Sequence, residues 1–317
     1  MKTRLFIKTI ALLPVLWSTH FITAADTSTA NNSIAGIIEA DRLVTGIPAA
    51  DISALSIPKG YKQIECHLTP ISSILPHQTP TNLPVAFQPS KDITPTLKYS
   101  YGWSGCVAAT DWNEPALNSV SAIAGTWTVP AIQPSVNDSY CVMWVGMDGF
   151  YYRSKTVEQI GTGHCWLKGK EFHYAWFQMF PDTPSNMIND FPLKVGDVIT
   201  ATVNYTSNNI FLMRLYNTTQ KVVVTIPGKY TTSSKAKRQS AEWIVEAPSS
   251  YTALLPLANF ATIRFANCKT TINDVSGYLT NAAWLTAAIK LIDGGGTAKA
   301  IPAILPGSSF TVTWQRQ

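Results

Sequence analysis

The sequence predicts an all-β fold, an antiparallel sandwich or barrel that follows an N-terminal extension. The 317-residue chain is 46% hydrophobic and only 14% charged, against a usual charged share of about 25%, which excludes a disordered chain and a charged coiled coil. From Tyr99 onward, short aromatic and β-branched runs alternate with turn residues, and helical periodicity is scarce. Many strands at turn-length intervals favour antiparallel sheets.

The first 25 residues have the layout of a secretory signal peptide. Three basic residues precede an apolar run, and small residues end the segment: Lys2, Arg4 and Lys8, then 10–17, then Ala24 and Ala25. An uncleaved membrane anchor is the alternative, but the run is short for a bilayer and is interrupted by Pro14 and His20. We therefore expect a secreted protein, extracellular or periplasmic.

The basic excess of the chain comes mostly from this segment. The formal net charge is +5, from 24 Lys and Arg against 19 Asp and Glu. Without the three basic residues it is +2, and no basic stripe remains to neutralise phosphates, so nucleic acid is excluded as a partner. No later stretch approaches about 20 apolar residues, so we expect no stable membrane insertion after signal removal. We also expect a monomer.

Residues 26–95 differ in composition and hydrophobic pattern from the rest of the chain. They contain eight prolines, from Pro48 to Pro95, and a helix-like apolar patch at 34–43. We interpret them as a prosegment or N-terminal extension, with residues 96–317 as the main domain. An integral part of the fold is the alternative, since the sequence does not show cleavage.

The strand-like runs beyond residue 99 are 125–130, 139–149, 197–205, 210–217, 221–228 and 309–314. Asn208 and Asn209 separate two of these runs and predict a tight hairpin. The segment from Gly102 to Cys106 is similar to a serine nucleophile elbow but lacks its final glycine, so we interpret it as the start of a strand.

Metal and cysteine chemistry find little support. Beyond residue 100 the only histidines are His164 and His173, without an HExxH motif, so we expect no metal site and no cofactor. His164 and Cys165 are adjacent, and neighbours in a strand point to opposite faces, which excludes a nucleophile–base pair. The chain has five cysteines, an odd number, and no CxxC. We predict that Cys165 is half of a disulfide, with Cys141 as the candidate partner.

Acidic groups in an aromatic strand form the candidate site. In AEWIVE (241–246), strand alternation places Glu242, Ile244 and Glu246 on one face. At about 3.3 Å per residue the two carboxyls lie roughly 13 Å apart, too far to share a proton, so at most one acts directly on a given bond. Taken alone, the pattern is also that of an amphipathic strand whose acids face solvent.

Four further strings change this interpretation. GTWTVP (125–130), WVGMDG (144–149), VEQIGTG (157–163) and YAWFQMFP (174–181) precede AEWIVE in that order. Together the strings resemble the glutamic peptidases of the eqolisin family, the secreted acid endopeptidases also called peptidase A4 or G1. The resemblance covers roughly residues 99–317, and residues 1–95 stand where that family carries its signal and prosegment.

The resemblance implies a concanavalin A-like sandwich of two antiparallel sheets whose concave face holds a Gln–Glu pair. The family's glutamine corresponds to Gln159, and its glutamate to Glu246, with Glu242 as the alternative. Trp144 and Asp148 correspond to residues of the family's WVGxDG strand, and Trp176 to a tryptophan that lines the cleft.

The chain departs from the family pattern at two places. Gln178 stands where the family commonly has a glutamate, and an acid usually found shortly after the catalytic glutamine is missing around Gly163 and His164. These differences bear on the pH optimum and on the hydrogen-bond support of Gln159.

The implied function is a secreted acid endopeptidase acting on polypeptides. Glu246, expected to be ionised above about pH 4, would take a proton from water, and the Gln159 amide, which does not titrate, would stabilise the oxyanion. A non-catalytic, Trp-lined sandwich that binds glycan or peptide is the main alternative, because ten tryptophans also suit stacking on sugars. A degenerate peptidase kept as an inhibitor or adhesin is a third.

Overall fold

A computed structural model describes residues 57–74, 96–230, 235–250 and 253–317. The expected signal peptide at 1–25 and the helix-like patch at 34–43 lie outside these ranges. Within them, no helix has the length and apolar character needed to cross a membrane.

The described residues form 18 strands and one helical turn. In chain order they are β1 (Lys62–Gln63), β2 (Leu68–Pro70), α1 (Ile71–Ile74), β3 (Thr96–Ser100), β4 (Trp103–Ala109), β5 (Val120–Thr128), β6 (Ser139–Met147), β7 (Val157–Leu167), β8 (Lys170–Phe180), β9 (Asn186–Ile188), β10 (Val198–Ser207), β11 (Ile210–Asn217), β12 (Val222–Lys229), β13 (Ser240–Glu246), β14 (Thr262–Ile272), β15 (Val275–Tyr278), β16 (Leu285–Ile292), β17 (Ala298–Ile304) and β18 (Phe310–Trp314).

The strands make two groups that share β14. One group runs β1-β12-β11-β10-β5-β14-β15. The other runs β2-β9-β8-β7-β6-β13-β4-β16-β17-β18-β14, and β3 also pairs with β16. The first half of β14 pairs with β18, and its later residues pair with β5, so the two groups form one continuous 18-stranded sheet. The all-β prediction is confirmed. The pairing is mixed rather than wholly antiparallel, since β1–β12 and β3–β16 are parallel.

The main core lies between the two groups. The Trp243 indole on β13 reaches across to β5, where its Nε1 donates to the Ala124 carbonyl at 2.7 Å. Trp127 is fully buried there, and Trp314 packs partly buried against the same cluster. A second apolar cluster, which contains Trp103, Trp144, Trp176 and Ile244, covers the other face of strands β8, β7, β6, β13 and β4. Side chains on both faces of these strands are therefore buried.

The hairpin predicted at Asn208 and Asn209 is confirmed. These residues connect β10 to β11 with φ values of 49° and 59°. Two successive positive φ values are what a type I′ turn requires, and Asn is among the residues that tolerate them. The segment from Gly102 leads directly into β4, as expected of a strand start.

The predicted disulfide between Cys141 and Cys165 is wrong. All five cysteines are thiols. Cys141 stands opposite His164 in the β6–β7 register, so Cys165 is one residue away and points to the other face. Cys141 lies in the main core and Cys165 in the second cluster, so the sheet itself separates their sulfurs.

The described part of the N-terminal extension pairs with the main domain. β1 adds to β12 at the edge of one group, and β2 adds to β9 at the edge of the other. Ile71, at the start of α1, is buried in the second cluster. Residues 57–74 thus belong to the packed fold, while the prosegment interpretation of 26–95 stays a prediction.

Candidate active site

Sheet register brings the sequence-predicted residues onto one face. Strands β13, β6, β7 and β8 are neighbours, and cross-strand partners share a face. One row of partners is Glu242, Gly146, Gln159 and Gln178; the next is Ile244, Trp144, Gly161 and Trp176; the third is Glu246, Val142, Gly163 and Tyr174. We call this surface of the four strands the site face. Glu246 therefore lies two rows from Gln159, whereas Glu242 lies in the same row.

Glycines on the middle strands make room for aromatic rings. A Cβ on Gly163 would lie 2.1 Å from Cζ of Tyr174, so the tyrosine ring lies directly over this glycine. This is also the place where the chain lacks the acid expected from the family pattern. A Cβ on Gly146 would lie 2.9 Å from Cζ3 of Trp144 and 3.2 Å from Cβ of Gln159. The Trp144 ring thus approaches the Gln159 row.

Glu246 is held by two indoles. It is 1% exposed, and Trp144 Nε1 donates to its Oε2 at 2.8 Å. Burial raises the pKa of Glu246 to about 8, while hydrogen bonds from Trp144 and Trp103 oppose the rise. The two indoles meet edge to face, with ring centroids 5.0 Å apart. The expectation of ionisation above about pH 4 is corrected, because burial of the carboxyl raises its pKa.

Trp144 connects the two predicted catalytic residues. Its Nε1 contacts Glu246 on one side, and its Cζ3 lies over Gly146 beside Gln159 on the other. The indole, which belongs to the row between them, therefore extends from the row of Glu246 to the row of Gln159.

Gln159 is oriented by Gln178. Gln159 Nε2 donates to Gln178 Oε1 at 3.0 Å, and Gln178 Nε2 donates to the Thr183 carbonyl at 3.2 Å. The Thr183 carbonyl fixes which end of the Gln178 amide faces Gln159. Gln178 thus accepts this hydrogen bond with an amide, which does not titrate. Gln159 Oε1 is buried with no hydrogen-bond partner among the described residues.

Glu242 is fully buried, and neither of its carboxyl oxygens has a hydrogen-bond partner of normal geometry in the described ranges. Burial raises its pKa well above the usual value; the nearby Ser240 hydroxyl opposes this, and Asp148 and Glu158 raise the pKa further. Both acids of AEWIVE are therefore buried, and neither faces solvent as in an ordinary amphipathic strand.

Asp148 and Trp176 occupy different surroundings. Asp148 follows β6 and accepts from the backbone N–H groups of Arg238 and Gln239 at 2.6 and 2.9 Å. These bonds tie the end of β6 to the segment before β13, while burial raises the Asp148 pKa. Trp176 lies on the site face, fully buried, and its Nε1 has no partner within the described part of the chain.

Two buried pairs behind the site face were not predicted. Tyr230 Oη donates to Glu158 Oε1 at 2.6 Å, and burial raises the pKa of Glu158 well above its usual value. The rings of His164 and His173 meet through their Nδ1 atoms at 2.8 Å, and burial lowers the pKa of both. Alternation in VEQIGTG does place Glu158 opposite to Gln159, but Tyr230 is remote in sequence. No group of three His, Cys, Asp or Glu that could hold a metal occurs among the residues described.

Comparison with known proteins defines the class, which is that of the glutamic peptidases. Aspergillopepsin-2 from Aspergillus niger is 26% identical over 197 residues, which cover 56% of this chain and 67% of that protein. The fold is similar to scytalido-glutamic peptidase with a transition state analog inhibitor, with a TM-score of 0.58 and 20% identity over 68% of this chain and 99% of that one. It is also similar to aspergilloglutamic peptidase from Aspergillus niger, with a TM-score of 0.50 and 26% identity over 56% of this chain and 99% of that one.

A model of the Peptidase A4 family matches residues 101–314, more than half of the chain. The chain belongs to the Peptidase A4 family. The resemblance inferred from the five strings is thereby confirmed, and the enzyme class is that of a glutamic-type peptidase, a hydrolase.

Proposed function

We propose that this protein is a secreted, pepstatin-insensitive acid endopeptidase that cleaves polypeptides through Gln159 and Glu246. The observation that supports the pair most directly is the Trp144 bridge, which binds Glu246 at 2.8 Å and reaches the Gln159 row. On a flat sheet, two strand spacings and four residues separate the two Cα atoms by roughly 16 Å, and two side chains of about 5 Å each leave room for a water and a carbonyl.

Glu246 acts as the base and then as the acid. Its carboxylate takes a proton from water while the water oxygen bonds to the scissile carbonyl carbon. The protonated Glu246 then gives that proton to the leaving nitrogen as the C–N bond breaks, which restores the carboxylate. General base catalysis of this kind contributes about 10²- to 10⁴-fold in rate.

Gln159 stabilises the oxyanion. One Nε2–H is engaged by Gln178, and the second is available to the carbonyl oxygen as it gains charge. Loss of one such donor costs about 10²- to 10³-fold in kcat. Because neither amide titrates, this support persists at acid pH.

The raised pKa of Glu246 sets the acid side of the pH profile. The base must be ionised, and the ionised fraction falls about tenfold for each pH unit below about 8. The anion is correspondingly a stronger base than an exposed glutamate. We therefore place the optimum nearer to neutrality than for a peptidase whose base is solvated.

Digestion of a denatured protein between pH 3 and 8, with pepstatin present, tests the proposal. Wild type should cleave, Glu246→Gln should lose about 10²- to 10⁴-fold and Gln159→Ala about 10²- to 10³-fold. Glu158→Gln is the matched control, since it replaces a fully buried glutamate whose position in β7 puts it on the opposite face. A folded wild type without activity, or a fully active Glu246→Gln, would overturn the proposal.

The family assignment argues against the glycan-binding alternative. The Peptidase A4 model covers residues 101–314, the same residues that a glycan-binding sandwich would use.

A further inference from the structure

Three buried polar atoms in one row of the site face lack partners. They are Gln159 Oε1 and both carboxyl oxygens of Glu242, judged over the ranges that the structure describes. Burying polar atoms unpaired is costly, about 1–3 kcal/mol for each neutral group, so such atoms in a folded protein call for a partner. The amide oxygen needs a donor, and a protonated carboxyl can supply one.

The residue between them has no side chain. Gly146 is the register partner of Glu242 on one side and of Gln159 on the other. Two strand spacings place the Cα atoms of Gln159 and Glu242 about 10 Å apart. Both side chains can extend toward each other past Gly146, alongside the edge of the Trp144 indole, whose Cζ3 lies over this glycine. No direct hydrogen bond joins them, so the remaining gap suits one bridging water.

We propose that Glu242 is a positioning residue that donates a hydrogen bond, through one bridging water, to Gln159 Oε1. This proposal rests on the proposed function. Gln178 holds one end of the Gln159 amide at Nε2, and Glu242 holds the other at Oε1. With both ends held, the second Nε2–H points to the substrate carbonyl. Glu242 therefore works as a neutral acid, and Glu246 as the base.

The surroundings of Glu242 favour its neutral form. Asp148, Glu158 and Tyr151 are the titratable groups that act on it or on which it acts electrostatically, and each makes a second negative charge unfavourable. Its partners in register, Val107 on β4 and Gly146 on β6, carry no charge. The hydroxyl of Ser240, on the same face, is the one group that favours ionisation.

Steady-state kinetics of two variants test the role. Glu242→Met removes the donor at nearly constant volume and should lower kcat by about 10- to 100-fold with little change in KM, the usual effect of losing a supporting hydrogen bond. Glu242→Gln keeps N–H donors and should restore kcat to within a few-fold of wild type. Its alkaline limb should also move to higher pH, because the donor no longer ionises. Glu158→Gln, on the opposite face, is the control: it should leave kcat near wild type and can move the alkaline limb only to lower pH, because Glu158 raises the pKa of Glu242.

Two results would overturn the proposal. Wild-type kcat in Glu242→Met shows that the hydrogen bond is not needed, and a Glu242→Gln as inactive as Glu242→Met shows that a carboxylate is required. If Glu242→Met fails to fold, Glu242→Gln alone tests the proposal. A kcat within a few-fold of wild type together with an alkaline limb at higher pH supports it, and a large loss of kcat or an unmoved alkaline limb overturns it. An active Glu246→Gln would refute the proposed function instead, so the two failures are distinguishable.

Discussion

Removal of the indole N–H from Trp144 should shift the pH dependence of catalysis. Trp144→Phe deletes the 2.8 Å hydrogen bond to Glu246 Oε2 and leaves the bond from Trp103. The lost bond stabilises the charged form of a fully buried carboxyl. Its loss therefore raises the pKa of Glu246 further and makes the base harder to ionise.

The size of the shift follows from the strength of this bond. Hydrogen bonds to charged groups contribute about 1.5–3 kcal/mol, and one pKa unit corresponds to about 1.36 kcal/mol. The acid limb of kcat/KM should thus move up by about one to two pH units. At a fixed acid pH the variant should be about 10- to 100-fold slower than wild type, and the difference should diminish as the pH rises.

The assay is kcat/KM on a peptide substrate measured from pH 3 upward, with thermal unfolding measured in parallel. Trp176→Phe is the matched control, because Trp176 is another fully buried indole of the site face and its Nε1 makes no hydrogen bond to Glu246. It should lose a similar amount of stability without moving the acid limb. An unchanged acid limb in Trp144→Phe, or an equal shift in both variants, would refute the reasoning.

Three other predictions concern the stability of the fold and the hydrogen bond that holds Gln159. The free energy of unfolding should decrease as the pH rises from the unfolded glutamate pKa, about 4.3, through about 8, because four buried carboxyls have raised pKa values. The lowered pKa values of the buried His164 and the partly buried His173 act in the opposite direction below about 6.5, but the carboxyls outnumber them. Urea unfolding at a series of pH values measures this, and stability that increases across that range would contradict it. Gln178→Glu should keep activity as long as its new carboxyl can accept the hydrogen bond from Gln159. Gln178→Met cannot accept this bond and should lower kcat about 10- to 100-fold. Equal kcat values for wild type and Gln178→Met would show that the hydrogen bond from Gln159 to Gln178 is not needed. Gly161→Ala should abolish folding, because its Cβ would lie 1.9 Å from the Met143 carbonyl oxygen. The control is Gly294→Ala, whose Cβ would have nothing within 4 Å and which should change stability by no more than about 0.5 kcal/mol in thermal unfolding. A well-folded Gly161→Ala would contradict the register of β6 and β7.

Local features of the fold could be predicted from the sequence. Alternation in AEWIVE correctly placed Glu242, Ile244 and Glu246 on one face, since a strand has a period of two whatever it pairs with. The hairpin at Asn208 and Asn209 was predictable for the same reason, because the turn depends on its own residues.

The predictions that were wrong concern features that depend on the pairing of strands far apart in the sequence. The proposed Cys141–Cys165 disulfide required knowledge of the β6–β7 register, which places the two side chains on opposite faces. The protonation of Glu246 depends on Trp103 and Trp144, which arrive from two other strands. A pKa near the exposed value was a natural expectation for a strand viewed alone, and burial by its neighbours overturned it.

The groups that hold the Gln159 side chain could not be predicted from the sequence either. Gln178 stands as an isolated departure from a family pattern until the Thr183 carbonyl is seen to orient it. The row shared by Glu242 and Gln159 likewise emerges only when β6 is inserted between β7 and β13.

The central claim, that Gln159 and Glu246 act as one unit, is tested most directly by a double-mutant cycle on kcat. Residues that act together are strongly non-additive, so the double variant Gln159→Ala, Glu246→Gln should be about as slow as the slower single variant. Losses that multiply, or a single variant with wild-type kcat, would contradict the account.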